Sequence, residues 1–328
     1  MGGWIPPHWR RGAKRIVGFA IKVRLIFWSH MPALGREPCC IVTMAVLYDI
    51  ARYLPRVEGL FPLPQILARA AAKARDPAST MDEVADLLML DPAIVRSVIR
   101  LSNSSYFNLP TKSESLKEAV QRVGLGEILR LVSCSMAQAV YQRELTHYRI
   151  PPEVFWESAI AAAFLMAELA REQGGDADEA YLAGLMREIG MVVIDHVLTA
   201  EGSSAQWDCY EPLRDWEQTV CGHSHPAVGA DLLARWGFTP SLCAAVRQQW
   251  EPAGPSGPVL ARSLRLTNLL LERCGCDFSL PLESSEDWHG LAVGLGLEFS
   301  QVASAQQAAR DKFRRLRAEL GPTIGPPR

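Results

Sequence analysis

From residue 60 onward, apolar side chains recur every three to four positions in segment after segment, and period-two alternation over six or more residues is hard to find. That periodicity places the apolar residues of each segment on one face of a helix. Leu63, Ile66, Leu67 and Ala70 make the first such stripe. Helix starts are marked as well. Thr80 and Glu83 have the spacing of a capping box ahead of Val84, Leu87 and Leu88. Asp91-Pro92 reads as an N-cap followed by proline at the first helical position, opening a helix that carries Ile94, Val95, Val98, Ile99 and Leu101. Ser115 and Glu118 repeat the capping box before Leu116, Ala119, Val120 and Val123, and a further helix follows over 128–141. Pro151-Pro152 breaks the pattern. Beyond it, helices are predicted over 153–173, 178–198, 210–221, 225–236, 240–250, 257–274 and 298–320, with Thr239-Pro240 repeating the cap-plus-proline start. The sequence therefore predicts an all-α fold of two helical subdomains packed across a groove. The segments are a basic extension (1–43), an N-terminal subdomain (44–150), a second helical bundle (151–275) and a C-terminal helical segment with its tail (276–328).

Composition narrows the function classes. Of 328 residues, 48% are hydrophobic and 21% charged, sufficient for a core of ordinary size. The net charge of −2 offers no overall basic excess for nucleic acid, so no nucleic-acid partner is expected. The eight cysteines are scattered, and Cys134 and Cys243 fall in apolar helical stretches. They read as reduced thiols of a cytoplasmic protein rather than a disulfide framework. No run reaches the roughly 18–20 apolar residues that span a bilayer; 16–28 is interrupted by Lys22 and Arg24. Residues 1–43 carry Arg10, Arg11, Lys14 and Arg15 and no acid before Glu37. Three readings stand for them: a translation start placed upstream of Met44, a basic amphipathic segment that touches lipid, or a plain arm.

A set of short motifs runs through both halves in order. It comprises Leu60-Phe61-Pro62-Leu63-Pro64, Asp91-Pro92, Leu101-Ser102-Asn103-Ser104-Ser105-Tyr106 and Ala119-Val120-Gln121-Arg122-Val123-Gly124 in the first half. In the second half come Phe155-Trp156-Glu157-Ser158, Ala180-Tyr181-Leu182-Ala183-Gly184-Leu185, Ile189-Gly190 and His225-Pro226-Ala227-Val228-Gly229-Ala230, with Trp236 closing that helix. By these motifs the chain resembles the HDOD family, the HD-related output domain of bacterial signalling proteins. The resemblance implies an all-α fold whose second subdomain is a degenerate HD-like bundle, a role in signal transduction, and no common ligand. HD-superfamily enzymes hold divalent metal with histidines and aspartates, including an adjacent His-Asp pair, and the metal acidifies a water that attacks a phosphoester. In this chain the pair aligns with Arg187-Glu188. Arginine has five donors, no acceptor and a permanent charge, so it cannot ligate a cation. The other positions implied are Glu157, Gln248 (with Gln249 beside it) and Asn268, and His225 alone survives as a ligand type at a matching place. No metal, no cofactor and no catalytic residue are expected. Arg187 is expected either to fill the metal position and pair with Glu157 or Glu188, or to sit on a solvated helix face.

Other constellations have weaker chemistry. Cys221-Gly222-His223-Ser224-His225 with Cys274-Gly275-Cys276 contains zinc-ligand types, but ordinary loop and cap roles explain them better. Asp195-His196 lies on an apolar helix and reads as a satisfied histidine. Asn103, Ser104 and Tyr106 at a helix end are candidates for a polar ligand between the subdomains, or else a C-cap in which Asn takes the left-handed conformation. Gly124–Gly126 follows no strand and is not a dinucleotide loop. Arg310, Lys312, Arg314, Arg315 and Arg317 accompany Phe313, Leu316 and Leu320 on an amphipathic helix, either solvated or docked on an acidic partner. The function expected is regulatory and non-catalytic, through a protein partner or a nucleotide second messenger. The alternatives are a metal-dependent phosphodiesterase or phosphohydrolase with an altered site, and a pure protein scaffold.

Overall fold

The computed structural model describes residues 48–60, 63–104, 107, 111–208, 211–251, 257–273 and 288–320. The basic extension, Tyr106, Cys274 and Cys276 lie outside them. Every named element is a helix, and the extended pairing among the described residues is an isolated bridge between Leu145 and Ile150.

The N-terminal half is built from α2 (Leu63–Arg75), α3 (Met81–Leu88), α4 (Pro92–Ser102), α5 (Leu116–Val123) and α6 (Leu125–Tyr141), with α2, α4 and α5 all packed on α6. The caps work largely as the sequence indicates. The Thr80 hydroxyl accepts from Glu83 N, and the Glu83 carboxylate accepts from Thr80 N. Asp91 accepts from Ala93 N at 2.7 Å ahead of Pro92. The second box is only half formed: Ser115 accepts from Glu118 N, but Glu118 turns its carboxylate to Glu114 N instead.

The second half centres on α7 (Pro152–Glu172), a helix buried along most of its length that carries α8 (Ala177–Met186), α13 (Val259–Arg273) and α15 (Phe299–Leu320) on its sides. Around it lie α9 (Ile189–Ala200), α10 (Leu213–Cys221), α11 (His225–Arg235), α12 (Pro240–Arg247) and α14 (Trp288–Gly294). Three features depart from the sequence-based expectation. The segment 178–198 is two helices, broken at Arg187-Glu188. The short helix α14 was not foreseen. And helix α1 (Ile50–Leu60) precedes the first predicted one. It buries Ile50, Tyr53, Leu54 and Val57 against α9 and α11, and the Tyr53 hydroxyl donates to Glu201 at the end of α9. Thus α1 packs on the second half, although it precedes the first in the chain.

Candidate functional site

Two close backbone approaches set the geometry of the site. A Cβ built on Gly184 in α8 would lie 2.6 Å from the Ala162 carbonyl oxygen of α7. One on Gly190 would lie 2.0 Å from the His225 carbonyl oxygen and 2.7 Å from Gly229 N. Glycine at these places lets α8 seat on α7 and α9 seat on α11 backbone to backbone. Between the two glycines the helix breaks, and the break drives Arg187 and Glu188 into the space enclosed by α7, α11, α12 and α13.

Arg187 is completely buried, and Glu188 nearly so. The Arg187 guanidinium donates to the Glu188 carboxylate with one arm and to the Ser158 hydroxyl of α7 with the other. The second oxygen of Glu188 forms an ion pair with His225 Nε2. On the opposite edge of the ring, His225 Nδ1 donates to Glu217 of α10 at 2.8 Å, and His225 N donates to the other oxygen of Glu217 at 2.8 Å. The Tyr148 hydroxyl donates to Glu217 as well, at 2.8 Å. The Trp250 ring meets the His225 ring edge-on, with centroids 4.4 Å apart. Below Arg187, Gln249 Nε2 donates to the Arg187 carbonyl at 2.7 Å, and Asn268 Nδ2 donates to Gln249 Oε1 at 3.2 Å.

The cluster balances two cations against two carboxylates, a requirement for charges held out of water. Burial alone would raise the Glu188 pKa, but the adjoining His225 and Arg187 cations hold it at about 2. Burial alone would lower His225, but Glu217 and Glu188 on its two sides push it up to about 10. The imidazole is therefore an imidazolium with both N–H groups facing carboxylates. Burial, with Glu217 adding to it, raises the Tyr148 phenol far above its ordinary value, so Tyr148 stays a donor.

Of the residues singled out in the sequence, Arg187, Glu188, His225 and Asn268 meet here. Glu157 does not: it is partly exposed on α7 and pairs with Arg317 of α15 at 3.2 Å. The inward position is Ser158, one residue and about 100° further round the helix. Gln248 ends α12 as its cap, and Gln249 is the buried member of that pair. Glu217 and Tyr148 gave no sequence signal, and Ser158 was visible only as the neighbour of Glu157 in a motif. Glu217 follows Trp216 on a helix with ordinary amphipathic spacing, and only the turn that folds α10 back on α11 brings it to His225. Asn103 holds the loop after α4 by two hydrogen bonds to the Ser113 backbone, donating to its carbonyl at 2.8 Å and accepting from its N at 2.7 Å. Asn103 is the C-cap of α4, as the sequence indicates, but with φ −89° it does not take the left-handed conformation. Ser104 lines a separate crevice with Arg130 and Tyr181, whose free volume of about 20 Å³ admits roughly one water.

The remaining motifs have plain local partners. The Cys221 thiol donates to the Glu217 carbonyl at 3.1 Å, and His223 donates to the Tyr48 carbonyl at 2.9 Å. Asp195 accepts from His147 N at 2.8 Å, and His196 lies half-buried at the edge of the Tyr53 ring. In the basic run, Lys312 pairs with Glu168, Arg314 with Asp311 and Arg317 with Glu157.

A divalent metal does not fit these residues. Arg187 places a permanent positive charge between Ser158 and Glu188, both ring nitrogens of His225 face carboxylates, and Gln249 and Asn268 are neutral amides bonded to each other. Among the described residues no group of three or more His, Cys, Asp or Glu is disposed to hold an ion.

The HDOD domain family matches residues 60–252 of the chain. This protein belongs to the HDOD family. The fold is similar to that of an HDOD domain protein of unknown function from Geobacter sulfurreducens, at 20% identity and TM-score 0.60, covering 84% of this chain and all of that one. It is also similar to a protein from Shewanella amazonensis SB2B provisionally named a phosphohydrolase (20% identity, TM-score 0.57, 82% of this chain and 98% of that one). A third similar structure, from Marinobacter aquaeolei VT8, is provisionally named a signal transduction protein (20% identity, TM-score 0.57, 82% of this chain and 65% of that one). In sequence, an uncharacterised protein of Treponema pallidum (strain Nichols) is 23% identical over 197 residues, spanning 58% of this HDOD chain and 38% of the relative's own length. No helix of the described residues is long and apolar enough to cross a membrane.

Proposed function

We propose that this HDOD protein is a non-catalytic output module of cytoplasmic signal transduction, acting by binding a protein partner or a nucleotide second messenger. The observation that supports this most is Arg187. Its guanidinium, fully buried and bonded to Glu188 and Ser158, stands where the family resemblance puts a metal-binding histidine. A fixed organic cation supplies charge balance but cannot acidify a water or accept a phosphoryl oxygen as a Lewis acid does. The provisional signalling name of the Marinobacter structure agrees with this reading.

Signalling without chemistry requires two arrangements of the molecule that a ligand distinguishes. The surface between the halves offers the means. Arg75 of α2 pairs with Asp176 at the start of α8 at 3.0 Å, and Arg130 of α6 pairs with Asp178 at 2.9 Å. The Arg75–Asp176 pair lies at the surface and is worth little, so a partner can compete for it at small cost, whereas Arg130 is largely buried and pairs with Glu127 as well.

The test is the metal content of chelator-free protein, by elemental mass spectrometry, together with hydrolysis of a generic phosphodiester in added manganese. The expected result is metal far below one equivalent and no turnover. A stoichiometric metal lost on Glu188→Ala or His225→Ala, with turnover, would establish the phosphohydrolase reading instead.

A further inference from the structure

The α2–α3 hairpin carries a wide, shallow groove of about 750 Å³ that is open to solvent. Its two walls have opposite sign. Arg69 and Lys73 line it from α2, with Asp76 just past the end of that helix, and Glu83 and Asp86 line it from α3, so the α2 side is net basic and the α3 side acidic. Between them lie Ala72, Leu87 and Leu90. Each wall is a single helical stripe with 3–4 spacing. Leu90 is 63% exposed, and Met89 beside it is 40% exposed. Lys73 is partly satisfied by Glu83 at 3.4 Å, and Asp86 by Lys117 at 3.2 Å. Arg69 is exposed and has no ion-pair partner among the described residues.

A basic wall, an apolar floor and an acidic wall form a self-complementary surface. A two-fold axis through the floor lays the basic wall of one copy on the acidic wall of the other, twice over, and an isologous contact requires that reciprocity. The same axis covers Leu90 with its counterpart and gives Arg69 the carboxylate it lacks. We propose that the α2–α3 hairpin is the interface of a homodimer, with Arg69 of each copy meeting Asp86 of the other across paired Leu90 side chains. This proposal rests on the surface of the first half and is independent of the buried cluster.

Sedimentation velocity on the full chain tests it, over concentrations reaching about 100 μM, above the weak end of the affinities that standard-size interfaces cover. The wild type is expected to sediment as a concentration-dependent dimer and Leu90→Arg as a monomer. Arg69→Glu sets a carboxylate against Asp86 of the other copy, and Asp86→Lys sets an ammonium against Arg69 of the other copy, so each variant alone is expected to dimerise at least tenfold more weakly. An equimolar mixture of the two restores both wall contacts and is expected to recover a heterodimer. Both substitutions are on exposed side chains outside the caps, so unchanged circular dichroism melts confirm that folding is intact. A wild type that stays monomeric overturns the proposal. So does a dimer indifferent to Leu90→Arg, or charge variants that fail to associate on mixing.

Discussion

At the scale of single residues, the buried cluster makes its members interdependent. Arg187→Ala removes one cation, strips the Ser158 hydroxyl of the guanidinium donor and leaves His225 to balance both Glu188 and Glu217. Breaking a buried pair from one side costs about 3–5 kcal/mol, a large share of a stability of about 5–15 kcal/mol. Urea unfolding should show that loss, and Arg187→Lys should recover only part of it, since an ammonium lacks the planar two-armed reach. An unchanged urea midpoint for Arg187→Ala would rule out the cluster as a source of stability. The same residues set a pH dependence. Glu188 falls from its ordinary 4.5 to about 2 on folding, so its contribution is complete above 4.5 and drains away toward pH 2. His225 rises from 6.5 to about 10, so its contribution is complete below 6.5 and drains away toward pH 10. The cluster is therefore fully stabilising between about pH 4.5 and 6.5. Urea melts across pH should show stability falling from pH 7 to 10, with a flattened alkaline limb in His225→Gln. An alkaline limb of equal slope in that variant would mean other groups cause it.

At the scale of helices, what the sequence made legible was local, and what it hid was tertiary. The starts of α3, α4 and α12 were readable because a cap is a contact between residues two or three apart: Thr239, for example, accepts from Leu242 N at 3.2 Å. Thr80→Ala should accordingly cost about 1 kcal/mol in thermal or urea unfolding. The break at Arg187-Glu188 was not readable. Apolar residues continue across it on both sides, and nothing in the local spacing reveals that the helix must turn to bring Gly190 against α11. Gly190→Ala should test that contact directly. Its methyl group meets backbone at His225 and Gly229, which cannot rotate aside. Overpacking of this kind costs typically 1–3 kcal/mol, and the displacement of α9 from α11 should also separate Glu188 from His225. A clear fall in melting temperature is expected, and a neutral Gly190→Ala would show that the two helices do not approach this closely. The off-by-one readings at Glu157 and Gln248 have a related cause. A motif aligns a segment, but a single residue of shift turns a side chain about 100° round a helix, so only packing decides that Ser158 and Gln249 face inward.

At the scale of the whole molecule, the family match covers 60–252, yet the packing extends past both ends of it. Helix α1 lies on α9 and α11, and α15 lies along α7 with Val302, Ala305, Ala309 and Leu316 buried. The stripe of α15 was visible in the sequence, but its destination was not, because amphipathic spacing states that a face is covered without stating by what. Among the basic residues of α15, Lys312 reaches the mostly buried Glu168 of α7, but Arg317 contributes little to this docking. Arg317 is 63% exposed in its pair with Glu157, and such pairs are worth about 0–1 kcal/mol. The apolar face is different: full burial of a valine or leucine side chain is worth roughly 1.5–3 kcal/mol, and α15 buries both Val302 and Leu316 on α7. A chain ending at residue 297 should therefore melt at a lower temperature and bind a hydrophobic dye, whereas Arg317→Ala in the full chain should leave the melt nearly unchanged. The consequence reaches inward as well. α7 carries Ser158 under the Arg187 guanidinium, so loosening α7 by removing α15 should weaken the cluster and steepen the loss of stability at alkaline pH. A truncated chain with an unaltered melt would mean that α15 is an accessory laid upon a unit that is complete without it.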